Sequence, residues 1–261
     1  MEIKWQDEAG SSGLEPGAVI VSSFPSAGLA ATVAAHYMVQ ALKLPRIGIF
    51  DGPDMAPIAV VQDGVVNPPI RVYGQKDFAA ILSEFPPTPA LASALATTIL
   101  NGAIQRKARM IVCFEGVVPH PLEEGQDPAA EAPDEKVWVA FARKDPAITK
   151  TFEPTQAGLL EDGVLGGVSG ALLVQGINRS IPVAVLLVSA RAVEGLPDHR
   201  AGAALIETFD RLLPELKIDT GPLRVEAERI ERALRAAMKT HGKSEAAGKA
   251  IVEPASADMY R

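Results

Sequence analysis

Short apolar runs alternate along this chain with longer segments of helical spacing, and that alternation restricts the fold more than any single motif does. Runs too short for helices read as strands, and strands separated by helices build a sheet with helices packed on its faces. The first run, Ala18-Val19-Ile20-Val21-Ser22-Ser23, passes through Phe24-Pro25-Ser26-Ala27-Gly28 into an Ala-rich helix reaching about Leu42. Arg46 to Asp51 reads as a second buried strand. Ile58 to Gln62, Ile70 to Tyr73 and Phe78 to Ser83 read as short pieces of a meander, more antiparallel than parallel. Leu91 to Lys107 is helical, and Arg109 to Gly116 behind it is continuously apolar, as a central strand covered on both faces must be.

From Val118 to Lys136 the chain fills with Pro, Glu, Asp and Ala, which predicts an exposed surface loop. Val137 to Ala142 and Pro182 to Ser189 supply further strands, with a helix from Gly166 to Ile177 between them. Two long helices follow: Pro197 to Leu213, with Pro at its first position, and Pro222 to Lys239, whose charged face opposes a narrow stripe of Leu223, Ile230, Leu234 and Met238. The expected architecture is α/β, a single sheet-centred domain over residues 17–240 with helices on both faces. An N-terminal extension, 1–16, precedes it, and a flexible tail, 241–261, follows.

Charge narrows the partners. The 25 basic residues are outnumbered by 32 acidic ones, a formal charge of -7, which is the wrong sign for holding nucleic acid by counterion release. The single cysteine, Cys113, sits in the apolar run Met110 to Phe114 and is expected to be buried and unpaired, as in a reducing compartment. The N-terminus, Met1-Glu2-Ile3-Lys4-Trp5, lacks the apolar core of a signal peptide, and no stretch approaches a membrane span. These features point to the cytoplasm, without a membrane partner.

Candidates for chemistry are few. The turn at Phe24 to Gly28 joins strand to helix, where backbone N–H groups can hold phosphate, yet neither standard glycine fingerprint is present. A structural turn is the expectation. Gly167-Val168-Ser169-Gly170-Ala171 approaches the Gly-x-Ser-x-Gly nucleophile elbow but ends in Ala, so close helix–sheet packing is the better reading. His36, His120, His199 and His241 show no metal-ligand spacing. The acidic pairs Glu123-Glu124 and Glu161-Asp162 lie in loops, where solvated charge is the default. No catalytic residue, cofactor or metal is expected.

The C-terminus differs. His241 to Asp258 loses periodicity and fills with Gly, Ser, Ala, Lys and Glu, the composition of a tether whose span grows as about 5 to 6 Å times the square root of its length. It ends in Met259-Tyr260-Arg261. A terminal carboxylate can be captured by a lysine and backbone donors, the Tyr ring can lie in a groove, and Met can fill an apolar slot. A hydrophobic-Tyr ending arises by chance in on the order of one chain in two hundred, so alone it is a weak motif.

Four blocks add to it: Ser23-Phe24-Pro25-Ser26-Ala27-Gly28; Gly166-Gly167-Val168-Ser169-Gly170-Ala171-Leu172-Leu173; Pro197-Asp198-His199-Arg200-Ala201-Gly202-Ala203-Ala204-Leu205; and Ile218-Asp219. In their order the chain resembles the proteasome assembly chaperone family of the second type, in its archaeal form, from about Gly17 to Lys239. It departs at Ser26, where members typically carry Gly. The resemblance implies a fold similar to purine nucleoside phosphorylases without an established enzymatic activity, homo-oligomers such as tetramers or pentamers, and the proteasome α-subunit ring as partner. It also implies that Met259, Tyr260 and Arg261 are the docking residues of an ATP-independent chaperone or activator. The alternative from a different class is a nucleoside phosphorylase-like enzyme acting on a small molecule, which would need an anion site and a base beside a pocket.

Overall fold

Val19 and Val21 enter one hydrophobic core while Ile20 and Phe24 enter another, because successive side chains of a strand point to opposite faces. A run apolar at every position therefore demands cover on both sides. The computed structural model describes residues 2–233 apart from residues 12, 63, 119–134 and 192–195, and an eight-stranded sheet lies between those two cores.

The strands are β1 (Lys4–Asp7), β2 (Leu14–Ser23), β3 (Arg46–Asp51), β4 (Val60–Gln62), β5 (Val65–Asn67), β6 (Ile70–Ser83), β7 (Met110–Val117), β8 (Val137–Phe141), β9 (Gly158–Leu159) and β10 (Val183–Ser189). In the main sheet they stand in the order β1-β3-β6-β2-β7-β10-β8-β9, and β4 with β5 forms a separate antiparallel hairpin. The helices are α1 (Ala30–Ala41), α2 (Pro89–Gln105), α3 (Pro146–Phe152), α4 (Gly167–Gly176), α5 (His199–Leu212) and α6, described over 221–233. One face of the sheet carries α1, α3, α5 and α6 around Phe78, Phe114 and Phe209; the other carries α2 and α4. Helices thus cover both faces, as expected from the apolar runs.

At the centre, β6, β2, β7 and β10 run parallel, with register Val19↔Phe78 on one side of β2 and Val19↔Met110 on the other. β8 pairs antiparallel with β10, and β3 antiparallel with the start of β6. β6 turns back on itself. Straight, it would hold Arg71 and Glu84 about 43 Å apart, yet these two side chains form a salt bridge. The reversal falls at Gln75 to Asp77, where Lys76 has a positive φ of 44° and the two arms close so that a Cβ at Gly74 would lie 2.7 Å from the Phe78 carbonyl oxygen.

Two expectations change. Residues 3–7 do not stand apart from the domain: Ile3 is buried, β1 pairs with β3, and Trp5 packs between Phe50 at 5.5 Å and the Arg106 guanidinium at 4.1 Å. Pro197 precedes α5 instead of opening it, since the Asp198 carboxylate caps the helix by accepting from the Ala201 N–H at 3.0 Å. The meander is mixed as read, with β3–β6 and β4–β5 antiparallel and the second arm of β6 parallel to β2. Most of the Pro- and acid-rich loop, the end of the last predicted helix and the 241–261 tail lie outside the described residues.

Candidate functional site

The turn after β2 brings three strand ends together. Gly28 holds a left-handed φ of 60°, and a Cβ there would sit 2.6 Å from the Arg191 carbonyl oxygen. Beneath the turn, a Cβ at Gly116 would lie 2.2 Å from the Ala27 carbonyl oxygen, so β7 passes at a distance only glycine permits. Ser26 uses its hydroxyl to accept the Gly116 N–H at 2.8 Å. The Gly28 carbonyl accepts the Asp198 N–H at 2.7 Å. These polar groups serve β7 and the start of α5, which is the structural turn the sequence predicted.

On the α2–α4 side of this turn lies a cavity of about 300 Å³. It sits at the carboxyl ends of β2, β6 and β7, where β2 feeds α1 on one face and β6 feeds α2 on the other, the place where open α/β sheets form ligand crevices. Phe24 and Pro25 come from the turn, Pro87 from the loop between β6 and α2, Glu115 and Val117 from β7, and Val168 from the start of α4. Among the described lining residues the ionisable side chain is Glu115, and it has no lysine or arginine beside it in the wall.

Glu115 is mostly buried, and burial pushes its carboxyl up to about 7 against the lowering effect of a hydrogen bond from Ser169. Ser169 donates to Oε2 at 2.6 Å from the first turn of α4. The hydroxyl flagged by the elbow-like sequence therefore faces a carboxyl rather than a histidine. His36 faces Glu84 at 3.2 Å and His199 contacts the Pro197 carbonyl, while His120 and His241 lie outside the described residues. Cys113, two residues before Glu115, is fully buried, and burial pushes its thiol up. Glu161 and Asp162 are exposed, as read from the sequence, and Glu123-Glu124 lies outside the described residues. Among the described residues no three His, Cys, Asp or Glu side chains could hold a metal ion, and no helix is long and apolar enough to cross a membrane. Glu115 itself escaped the sequence reading; its signal was a lone acid at the end of an otherwise apolar strand.

A second polar cluster fixes the start of the C-terminal segment. Leu223 and Ala227 bury one face of α6, and Arg224 donates two hydrogen bonds to Glu207, at 3.1 and 2.8 Å, and a third to Glu135. Burial raises the Glu207 carboxyl, but the bonds from Arg224 and Thr220 outweigh it and hold it low. Arg200 adds a bridge to Glu231 at 3.2 Å, and the Tyr37 hydroxyl ties the preceding loop through the Asp219 carbonyl at 2.5 Å. Met259, Tyr260 and Arg261, the expected docking residues, lie outside the described residues.

The PAC2 family model matches residues 20–238. The chain belongs to the PAC2 family. Pyrococcus furiosus PbaA, an archaeal homolog of a proteasome-assembly chaperone, is 22% identical and superposes with a TM-score of 0.78, covering 95% of this chain and 96% of that one. Pyrococcus furiosus PbaB, an archaeal proteasome activator, is 19% identical, with a TM-score of 0.72 over 91% of this chain and 99% of that one. In sequence the chain is 25% identical to an uncharacterized protein of Methanocaldococcus jannaschii over 223 residues, 85% of this chain and 86% of that protein. At these identities the structural matches establish that this chain shares the fold of those two proteins.

Proposed function

We propose that this PAC2 protein is a cytoplasmic, ATP-independent proteasome assembly chaperone or activator that binds the α-subunit ring of the core particle through Met259, Tyr260 and Arg261. The observation that carries the proposal is family membership over residues 20–238 in a chain whose residues 259–261 are Met, Tyr and Arg. The descriptions of PbaA as a homolog of a proteasome-assembly chaperone and of PbaB as a proteasome activator support the choice of partner. In this reading the body to about residue 240 is a homo-oligomeric platform, a tetramer or pentamer, and 241–261 carries the docking residues. Arg224, Arg200 and Tyr37 hold α6 and the loop before it to the body.

No catalytic step is part of the proposal. Phosphorolysis needs a cationic anion site, and the wall of the described cavity supplies Glu115 instead. Binding of the full chain, and of a version lacking 259–261, to a purified archaeal core particle tests the reading, with peptide hydrolysis followed in the same samples. Loss of binding on truncation is expected; faster hydrolysis by the full chain identifies an activator, and unchanged hydrolysis an assembly factor. Equal binding by the truncated chain refutes docking through these residues.

A further inference from the structure

Glu115 does nothing for the docking mechanism, yet a carboxyl in a largely apolar cavity is costly to keep. Its surroundings define what could repay that cost. Ser169, its hydrogen-bond partner among the described residues, donates to Oε2, and Glu115 lines the cavity. The carboxylate has no cationic side chain in the described wall. Around it stand the Phe24 ring, the Pro25 and Pro87 rings and the Val117 side chain, which offer carbon surface and no competing charge. At about 300 Å³ the space is at the small end of ligand cavities.

We propose that the cavity between the carboxyl ends of β2, β6 and β7 and the start of α4 binds a small primary amine, its ammonium on Glu115 and its apolar body against Phe24, Pro25, Pro87 and Val117. A cation gains most from a carboxylate in a low-dielectric recess, because the attraction is little screened there. An anion meets repulsion from Glu115, and a neutral alcohol of the same shape forfeits the ion pair. The protein's formal charge of -7 draws cations toward its surface as well. The site is independent of proteasome docking, since it uses none of residues 241–261.

Calorimetric titration of the full chain at pH 8 with benzylamine and cyclohexylamine, each against the alcohol of the same shape, tests the assignment. Saturable binding of at least one amine, one per chain, is expected, with the matching alcohol roughly tenfold weaker or more, the range of a hydrogen bond to a charged group. Glu115→Gln keeps the shape of the wall and removes the charge, and it should weaken amine binding by the same factor. The Glu115 carboxyl resonance, followed by carbon NMR in the unmutated chain, should move as the amine saturates, so the assignment does not depend on how the variant folds. Absence of saturable binding by both amines, equal binding of amine and alcohol, unchanged affinity in Glu115→Gln, or a carboxyl signal that stays in place at saturation would each overturn it.

Discussion

Glu115 stands where a strand buried on both faces would ordinarily carry an apolar residue, with Leu187 beside it on β10 and Phe114 before it. Burial favours its neutral form, and one hydroxyl from Ser169 does not offset that. The folded chain therefore keeps a proton that the unfolded chain, with the ordinary value of 4.5, has already lost. The sign follows from linkage: a raised folded value contributes stability that is complete below 4.5 and disappears as pH climbs through about 7. At about 1.4 kcal/mol per pH unit the loss is at most about 3.5 kcal/mol. Urea denaturation at intervals from pH 4.5 to pH 8 should show that decline in the unmutated chain and a flatter profile in Glu115→Gln; parallel profiles would place the carboxyl's titration elsewhere. The acids held low, Glu8, Glu84 and Glu207, lose their contribution as pH falls below the carboxylate range and do not confuse the window. Ser169 was visible in the sequence as half of an elbow-like motif; its partner was not, because one acid in an apolar run carries no spacing from which a role could be read.

Strands and helices long enough to show their period were legible: β2, β3, β7, β10, α1, α2 and α4 fall where apolar spacing places them. The elements that escaped are short or exposed. β1 has four residues of mostly exposed pattern, α3 runs only from Pro146 to Phe152 behind its Asp145 cap, and β9 is two residues long. None of these repeats a pattern often enough to be counted. β6 is the instructive case, since Ile70 to Tyr73 and Phe78 to Ser83 read as separate pieces and prove to be two arms of one doubled strand. What joins the arms is an ion pair with Arg71 almost wholly buried, a contact thirteen residues long that no local pattern announces. Glu84 also meets His36 on α1, so it ties the doubled strand to the helix above it. Glu84→Ala leaves a buried guanidinium without its carboxylate and should cost about 3 to 5 kcal/mol, while Arg71→Met combined with Glu84→Leu should recover much of that loss. Chemical denaturation of the single and double variants measures both. A single variant as stable as the parent would show that the arms are held by their backbone and apolar contacts alone.

For the molecule as a whole, the proposed platform explains why a short tail could suffice. The docking residues Met259, Tyr260 and Arg261 present three side chains, too little surface for tight binding by themselves. Several copies on one body change the arithmetic, because after the first tail docks the next meets its pocket at an effective concentration set by the chain between them. A fourfold or fivefold body does not match the symmetry of a ring with a different number of subunits, so only some tails engage together, and those engaged decide the gain. The folded body matters here only through the number and spacing of tails it presents. Residues 241–261 fused to an unrelated monomeric carrier should therefore bind the core particle about a hundredfold to ten-thousandfold more weakly than the full chain, and the same residues fused to an unrelated tetramer should recover part of the difference. Surface-immobilised core particles and graded concentrations of the three proteins give the comparison. If the monomeric carrier binds as tightly as the full chain, the oligomer contributes nothing to docking; if neither carrier binds while the full chain does, the surface that recognises the ring lies on the folded body.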